Sequence, residues 1–190
     1  MKTNLITSTL AALALAATFQ TAALADDPIN PVQGAVCNLY WLNVSDSSES
    51  KAYIDFTMDL HRQPAAATFV DTAAEFKNVG KVNNLKSNVG MWTGWLKIER
   101  AGTYTFTCKR GQNYSRHRYT IWVNGQKYLA AAMGQSSFNV DLDAGFNSIK
   151  VIVSSSDTES YPLSITYKRA GSVKDPVSFG PADMWYDDEE

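Results

Sequence analysis

The sequence predicts an all-β fold, an antiparallel β-sandwich or barrel with one short, partly helical crossover after its second strand. Three observations carry this prediction. Short segments that alternate apolar and polar residues recur at even spacing from Val36 to Lys168. Glycine-bearing turns, Ala101-Gly102, Asn124-Gly125 and Ala144-Gly145, fall between them. Long patterns of helical period are scarce, so the layers have to be sheets.

The elements follow in chain order. Lys2 precedes an apolar stretch from Leu5 to Ala17 that is too short to cross a bilayer, and Ala23 and Ala25 flank Leu24 as a signal peptidase requires. Residues 1–25 therefore read as a signal peptide, cleaved near Ala25, and the protein is expected to be exported to the periplasm, the cell surface or the medium. Residues 26–35, with Pro28 and Pro31, read as an extended leader. Residues 36–190 then form a single domain whose C-terminal tail packs back on it.

Val36 to Val44 and Tyr53 to Leu60 are strands, the second with Ile54, Phe56, Met58 and Leu60 on one face. Gln63 to Val89 loses that period, and the alanines of Ala65 to Phe76 suit a short helix against the opposing preference of Thr68, Val70 and Thr72. Strands return at Gly90–Glu99, Thr103–Lys109, Arg118–Val123, Lys127–Ala132, Phe138–Leu142, Ser148–Ser154 and Tyr161–Lys168. Their expected core faces are Tyr104, Phe106 and Cys108; Tyr119, Ile121 and Val123; Phe138, Val140 and Leu142; Ile149, Val151 and Val153; and Tyr161, Leu163, Ile165 and Tyr167.

The 190-residue chain has a net charge of −2, and loss of residues 1–25, in which Lys2 is the only charge, makes it −3. An acidic exported protein is a poor nucleic-acid partner, and no second apolar segment is long enough for a membrane span. The two cysteines, Cys37 and Cys108, meet an oxidising compartment on export, so a disulfide between them is expected. Closing so long a loop stabilises a fold by roughly 4 kcal/mol on the chain-entropy model. A zinc site is disfavoured, because His61 and His117 are the only histidines.

Three segments together resemble the protective-antigen-type β-sandwich domain, the lectin-like domain found in anthrax protective antigen, flocculin adhesins and bacterial surface proteins. Trp92, Gly94, Leu96, Ile98, Ala101, Gly102, Tyr104 and Phe106 match its central hairpin. Tyr119 to Gly125 with Lys127 is similar to the next hairpin, and Val140 to Val151 to its closing strands. Gly34 to Trp41 and Pro181 to Tyr186 resemble its two ends. The resemblance implies a β-sandwich that binds sugars in adhesion. Lectin members hold calcium with adjacent aspartates in the loop after the Tyr-Thr-Phe strand. Here that loop, Lys109 to Arg118, has no carboxylate and four cationic residues, a poor setting for calcium. No cofactor is expected.

Two candidate binding sets emerge. Lys109, Arg110, Arg116 and Arg118, interleaved with Asn113, Tyr114 and His117, suit an anionic ligand, or else form a solvated turn that pairs with Asp187, Asp188, Glu189 and Glu190. Trp95 and Trp122 fall with polar neighbours by strand parity, so they either stack on a ligand or lie under the returning tail. Asp141, Asp143, Asp157 and Glu159 read as turn acids. No catalytic constellation is present: there is no Gly-x-Ser-x-Gly elbow, phosphate loop or zinc-spaced histidine pair. Two functions remain open, an exported recognition module for carbohydrate or an anionic surface ligand in adhesion, and an assembly component of a surface fibre or secretion apparatus that binds protein.

Overall fold

A computed structural model describes residues 27–40, 64–77, 81–82, 85–86, 89–110, 117–131, 135–155 and 162–188. Its strands are β1 (Pro31–Gln33), β2 (Ala35–Tyr40), β3 (Ala67–Asp71), β4 (Phe76–Lys77), β5 (Lys81–Val82), β6 (Leu85–Lys86), β7 (Val89–Ile98), β8 (Gly102–Arg110), β9 (His117–Val123), β10 (Gln126–Ala131), β11 (Gln135–Leu142), β12 (Gly145–Ser155), β13 (Pro162–Arg169), β14 (Val177–Phe179) and β15 (Met184–Asp187). A 3-10 turn, Pro181–Asp183, leads into β15. The protein is an all-β antiparallel sandwich.

The larger sheet runs β1-β15-β7-β12-β9-β10, with β2 on β7 and β3 on β2. The long β7 thus shares one edge between two partners: Val89 to Thr93 pair with β2, and Trp95 and Leu96 with β15. The second sheet runs β11-β8-β13-β14, with β4 also on β13, and β5 and β6 form a separate hairpin. Alternation decides which side chains go between the sheets. Trp92, Leu96 and Ile98 of β7, Ile149, Val151 and Val153 of β12, and Tyr119, Ile121 and Val123 of β9 meet Phe106, Cys108, Val140, Leu142, Leu163 and Ile165 of the second sheet in one buried cluster. Aromatic packing fixes its centre. Phe76 meets Trp92 edge-on with centroids 5.5 Å apart, and Phe106 stacks on Phe138 at 5.2 Å and on Tyr167 at 5.6 Å. Phe138 and Tyr167 are only partly buried and pack on the margin of the cluster.

The β9–β10 hairpin turns through Asn124 (φ 48°) and Gly125 (φ 76°), a left-handed pair that asparagine and glycine tolerate best. A polar clasp holds it. Asn124 Nδ2 donates to Asn147 Oδ1 at 3.0 Å, and Ser148 N donates to Asn124 Oδ1 at 2.9 Å, so the turn is tied to β12.

Two expectations are corrected. The alanine-rich crossover is not helical at Ala67–Asp71, which is the edge strand β3 paired along β2. Its β-branched Thr68 and Val70 suit the pleat, and Phe69 turns in to pack on the core. Cys37 and Cys108 are fully buried but unbonded. They stand on opposite sheets, which face each other about 10 Å apart, whereas a disulfide needs Cα atoms within about 7 Å. Each thiol packs as a small apolar group. The predicted strand Tyr53–Leu60, residues 41–44 and Tyr161 lie outside the described residues.

Burial pushes the Cys108 thiol up from 9.0 to about 12, and burial together with the Asp71 carboxylate pushes Cys37 up as well. A thiol whose folded pKa exceeds its unfolded one stabilises the fold fully below the unfolded value. That contribution is lost as pH rises towards the folded one. The protein is therefore expected to lose stability between pH 9.0 and about 12. Its native thiols should resist a disulfide reagent, and its melting temperature should be the same with and without dithiothreitol. A fall on reduction would show the pair bonded in solution.

Candidate functional site

The outward face of the larger sheet carries the protein's aromatic and cationic side chains in register. One row runs Val36, Thr93, Lys150, Trp122 and Lys127 across β2, β7, β12, β9 and β10. The next runs Trp185, Trp95 and Ser148 across β15, β7 and β12. Between these rows lies an open groove of about 540 Å³, lined by Val36, Thr93, Gly94, Trp95, Trp122, Gly125, Ser148, Ile149, Lys150, Tyr186 and Asp187.

Each lining group is positioned by its strand. Trp122 is nearly buried, packed in an outer-face cluster with Tyr40, Val89, Met91 and Ile152. The Lys150 ammonium stands 4.5 Å from the centroid of its ring. Desolvation by that packing pulls the Lys150 pKa below the usual lysine value. Trp95 is half-buried, and its shielded Nε1 has no hydrogen-bond partner among the described residues. A second cation–aromatic group adjoins the groove, with Lys97 Nζ 5.4 Å from the Phe146 ring and 5.7 Å from that of Trp185. Asp187 at the rim is already engaged: its carboxylate accepts from Ile29 N at 3.2 Å and from Asn30 N at 2.8 Å. It therefore ties the N-terminal segment to β15 and leaves Lys150 without a close counter-ion among the groove residues.

The groove can offer indole surface to apolar ring faces, and Thr93 and Ser148 hydroxyls, the Tyr186 phenol and the Lys150 ammonium to oxygen atoms. Calcium takes six to eight oxygen ligands, and the one carboxylate that lines the groove accepts from two backbone amides. Among the described residues no three His, Cys, Asp or Glu side chains gather to hold a metal. Asp141 accepts from Thr103 at 2.6 Å, and Asp143 belongs to the turn held by Asn147.

The expected site residues separate. Trp95 and Trp122 come together in the groove. Lys109 is exposed near the end of β8 in the other sheet, opposite Gln135 and Ser164. Arg110 closes β8, and His117 and Arg118 open β9 opposite Ser155 and Ser154. Arg118 stands four residues before Trp122 in β9, about 13 Å along the strand. Asn113, Tyr114 and Arg116 lie outside the described residues, as do Asp157 and Glu159. Lys150 and Ser148 were not anticipated from the sequence, whereas Tyr186 and Asp187 belong to the returning tail expected over the tryptophans. Only the registers of β12 with β9 and of β15 with β7 bring them to the tryptophans, although Lys150 and Ser148 do alternate with the inward Ile149 and Val151.

Two facing antiparallel sheets with an aromatic groove on one outer face define a lectin-like β-sandwich, a non-catalytic binding domain. The chain belongs to the carbohydrate binding module (family 35), whose profile matches residues 60–158. In fold it is similar to a PA14 sugar-binding domain from an RTX adhesin, at 20% identity and a TM-score of 0.55 over 82% of this chain and 99% of that one. It is likewise similar to the PA14 domain of the MpAFP antifreeze protein, at 19% identity and a TM-score of 0.53 over 85% and 95%. The epithelial adhesin 6 A domain from Candida glabrata, solved with Galb1-3GlcNAc, matches at 17% identity and a TM-score of 0.58 over 85% and 90%. No curated protein sequence matches the chain significantly. Among the described residues no helix is long and apolar enough to cross a membrane.

Proposed function

We propose that this protein is an exported, cofactor-free carbohydrate-recognition module of the protective-antigen type that serves adhesion at the cell surface. It binds its glycan in the groove between Trp95 and Trp122. The observation that carries this reading is the convergence of two tryptophans, a desolvated lysine and three hydroxyl-bearing side chains on one 540 Å³ groove. Membership of a carbohydrate-binding family supports the ligand class. A sugar ring lays its C–H face on Trp95 while its hydroxyls meet Lys150, Thr93, Ser148 and Tyr186. Lys109, Arg110, Asn113, Tyr114, Arg116, His117 and Arg118 are proposed as a further contact, for anionic substituents.

A glycan array run with and without a chelator, followed by titration of the best ligand, tests the proposal. Binding is expected in both conditions. Trp95→Ala and Lys150→Ala should each weaken it by about tenfold or more, as loss of an aromatic anchor or a charged hydrogen bond does. Melting temperatures should change little. The share of the loop is read from the combined change of Arg110, Arg116 and Arg118 to alanine. Retained affinity in the Trp95 and Lys150 variants would refute the groove. No glycan signal, together with capture of a defined protein partner, would support the assembly reading instead.

A further inference from the structure

A second concentration of positive charge lies away from the groove, where β13 turns towards β14 and β7 turns into β8. Three hollows of about 470, 340 and 330 Å³ meet there and share Arg169 and Ser172 in their walls. Lys97, Arg100, Lys168, Arg169 and Lys174 line them, Lys97 from the side nearer the groove, opposed by Glu99 and Asp175, and the 340 Å³ hollow has no carboxylate at all. None of the residues that line the groove lines any of these hollows.

The local geometry holds the donors ready. Arg169 Nη2 donates to Ala101 O at 3.1 Å, which fixes the guanidinium and leaves its other N–H groups free for a ligand. Ser172 N donates to Arg169 O at 3.1 Å, closing the Ala170-Gly171 turn. Ser172 Oγ accepts from Lys174 N at 3.1 Å, so its own proton remains available to donate. Tyr104 Oη donates to Arg100 O at 2.7 Å and anchors the facing wall. Lys168 projects from β13 beside Thr105. At the rim Val173 is almost fully exposed, an apolar contact beside the cations.

From this arrangement we propose that this end of the sandwich is a second ligand site, for the sulfate or phosphate ester groups of an anionic polysaccharide. Tetrahedral oxyanions suit convergent guanidinium, ammonium and hydroxyl donors. An acidic chain gains no general attraction for polyanions from its net charge of −2, so binding would have to come from this local cluster. The inference is independent of the groove.

Titration of the whole protein with dextran sulfate, with phosphate-esterified dextran and with plain dextran at low salt tests it. Saturable binding is expected for one or both esters and not for plain dextran, and it identifies which ester is preferred. Lys168→Ala with Lys174→Ala should weaken that binding by about tenfold. Lys77→Ala with Lys127→Ala, the same change of net charge at distant strands, should alter it less than about twofold. Trp95→Ala should leave ester binding unchanged, just as the Lys168 and Lys174 pair should leave the groove's glycan affinity unchanged. Equal weakening in the two lysine pairs would overturn the site in favour of a diffuse charge effect, as would failure of both esters to bind saturably.

Discussion

Trp92→Ala should lose on the order of 5 kcal/mol of stability, a large share of the roughly 5–15 kcal/mol that folded domains possess. Trp92 is completely buried where the two sheets meet, edge-on to Phe76, which in turn packs on Phe179. Emptying so large a site in a close-packed interior costs about 3–5 kcal/mol, because the surrounding strands can collapse only partly. A second loss adds to it. Trp92 Nε1 donates to Asp71 Oδ2 at 2.7 Å, and without that donor a part-buried carboxylate loses a charge-assisted partner. Asp71 also ends β3, so the edge of the larger sheet should loosen with it. Urea unfolding should show the midpoint falling sharply. Trp92→Phe, which keeps a six-membered ring but removes the pyrrole ring with its N–H, should lose about 2 kcal/mol or more. A loss below about 1 kcal/mol in the alanine variant would contradict the packing described.

The second large effect belongs to Gly94, at the floor of the groove. A Cβ there would clash with Trp185 O and come within 3.2 Å of Met184 Cε. The first contact is with backbone of the neighbouring strand, which cannot turn aside as a side chain would. Gly94→Ala must therefore push β15 off β7, at a cost of about 1–3 kcal/mol. Since β15 delivers Tyr186 and Asp187 to the groove wall, glycan affinity should fall with stability, by about tenfold or more. Limited proteolysis is expected to cut the tail of this variant first. A variant with native thermal stability and full glycan affinity would show that β15 does not shape the site.

Much of this architecture was legible because burial of one face imposes a period of two. Tyr104, Phe106 and Cys108, or Ile149, Val151 and Val153, could be assigned to the core from alternation alone. The same parity set Trp95 and Trp122 apart from Trp92, which looks identical in composition. It could not reveal that Lys150 lies directly opposite Trp122, because that depends on the register between strands far apart in sequence. The crossover was misread for a related reason: alanine favours a helix locally, yet pairing of β3 along β2 decides the state of Ala67–Asp71. Cysteine counting failed differently. It reports a compartment, whereas a bond requires a separation that only the packing of the two sheets sets.

The pairing of β1 with β15 also has a mechanical meaning. Pro31 lies opposite Asp187, Val32 opposite Tyr186 and Gln33 opposite Trp185, and Asp188 N donates to Asn30 O at 3.2 Å. Both ends of the described chain thus leave side by side from one corner. Tension applied between them would unzip these few pairs one after another instead of shearing them all at once. The first residues released, Asp187 and Tyr186, are walls of the groove, so a pull on the two ends would open the proposed glycan site before the sandwich itself gave way.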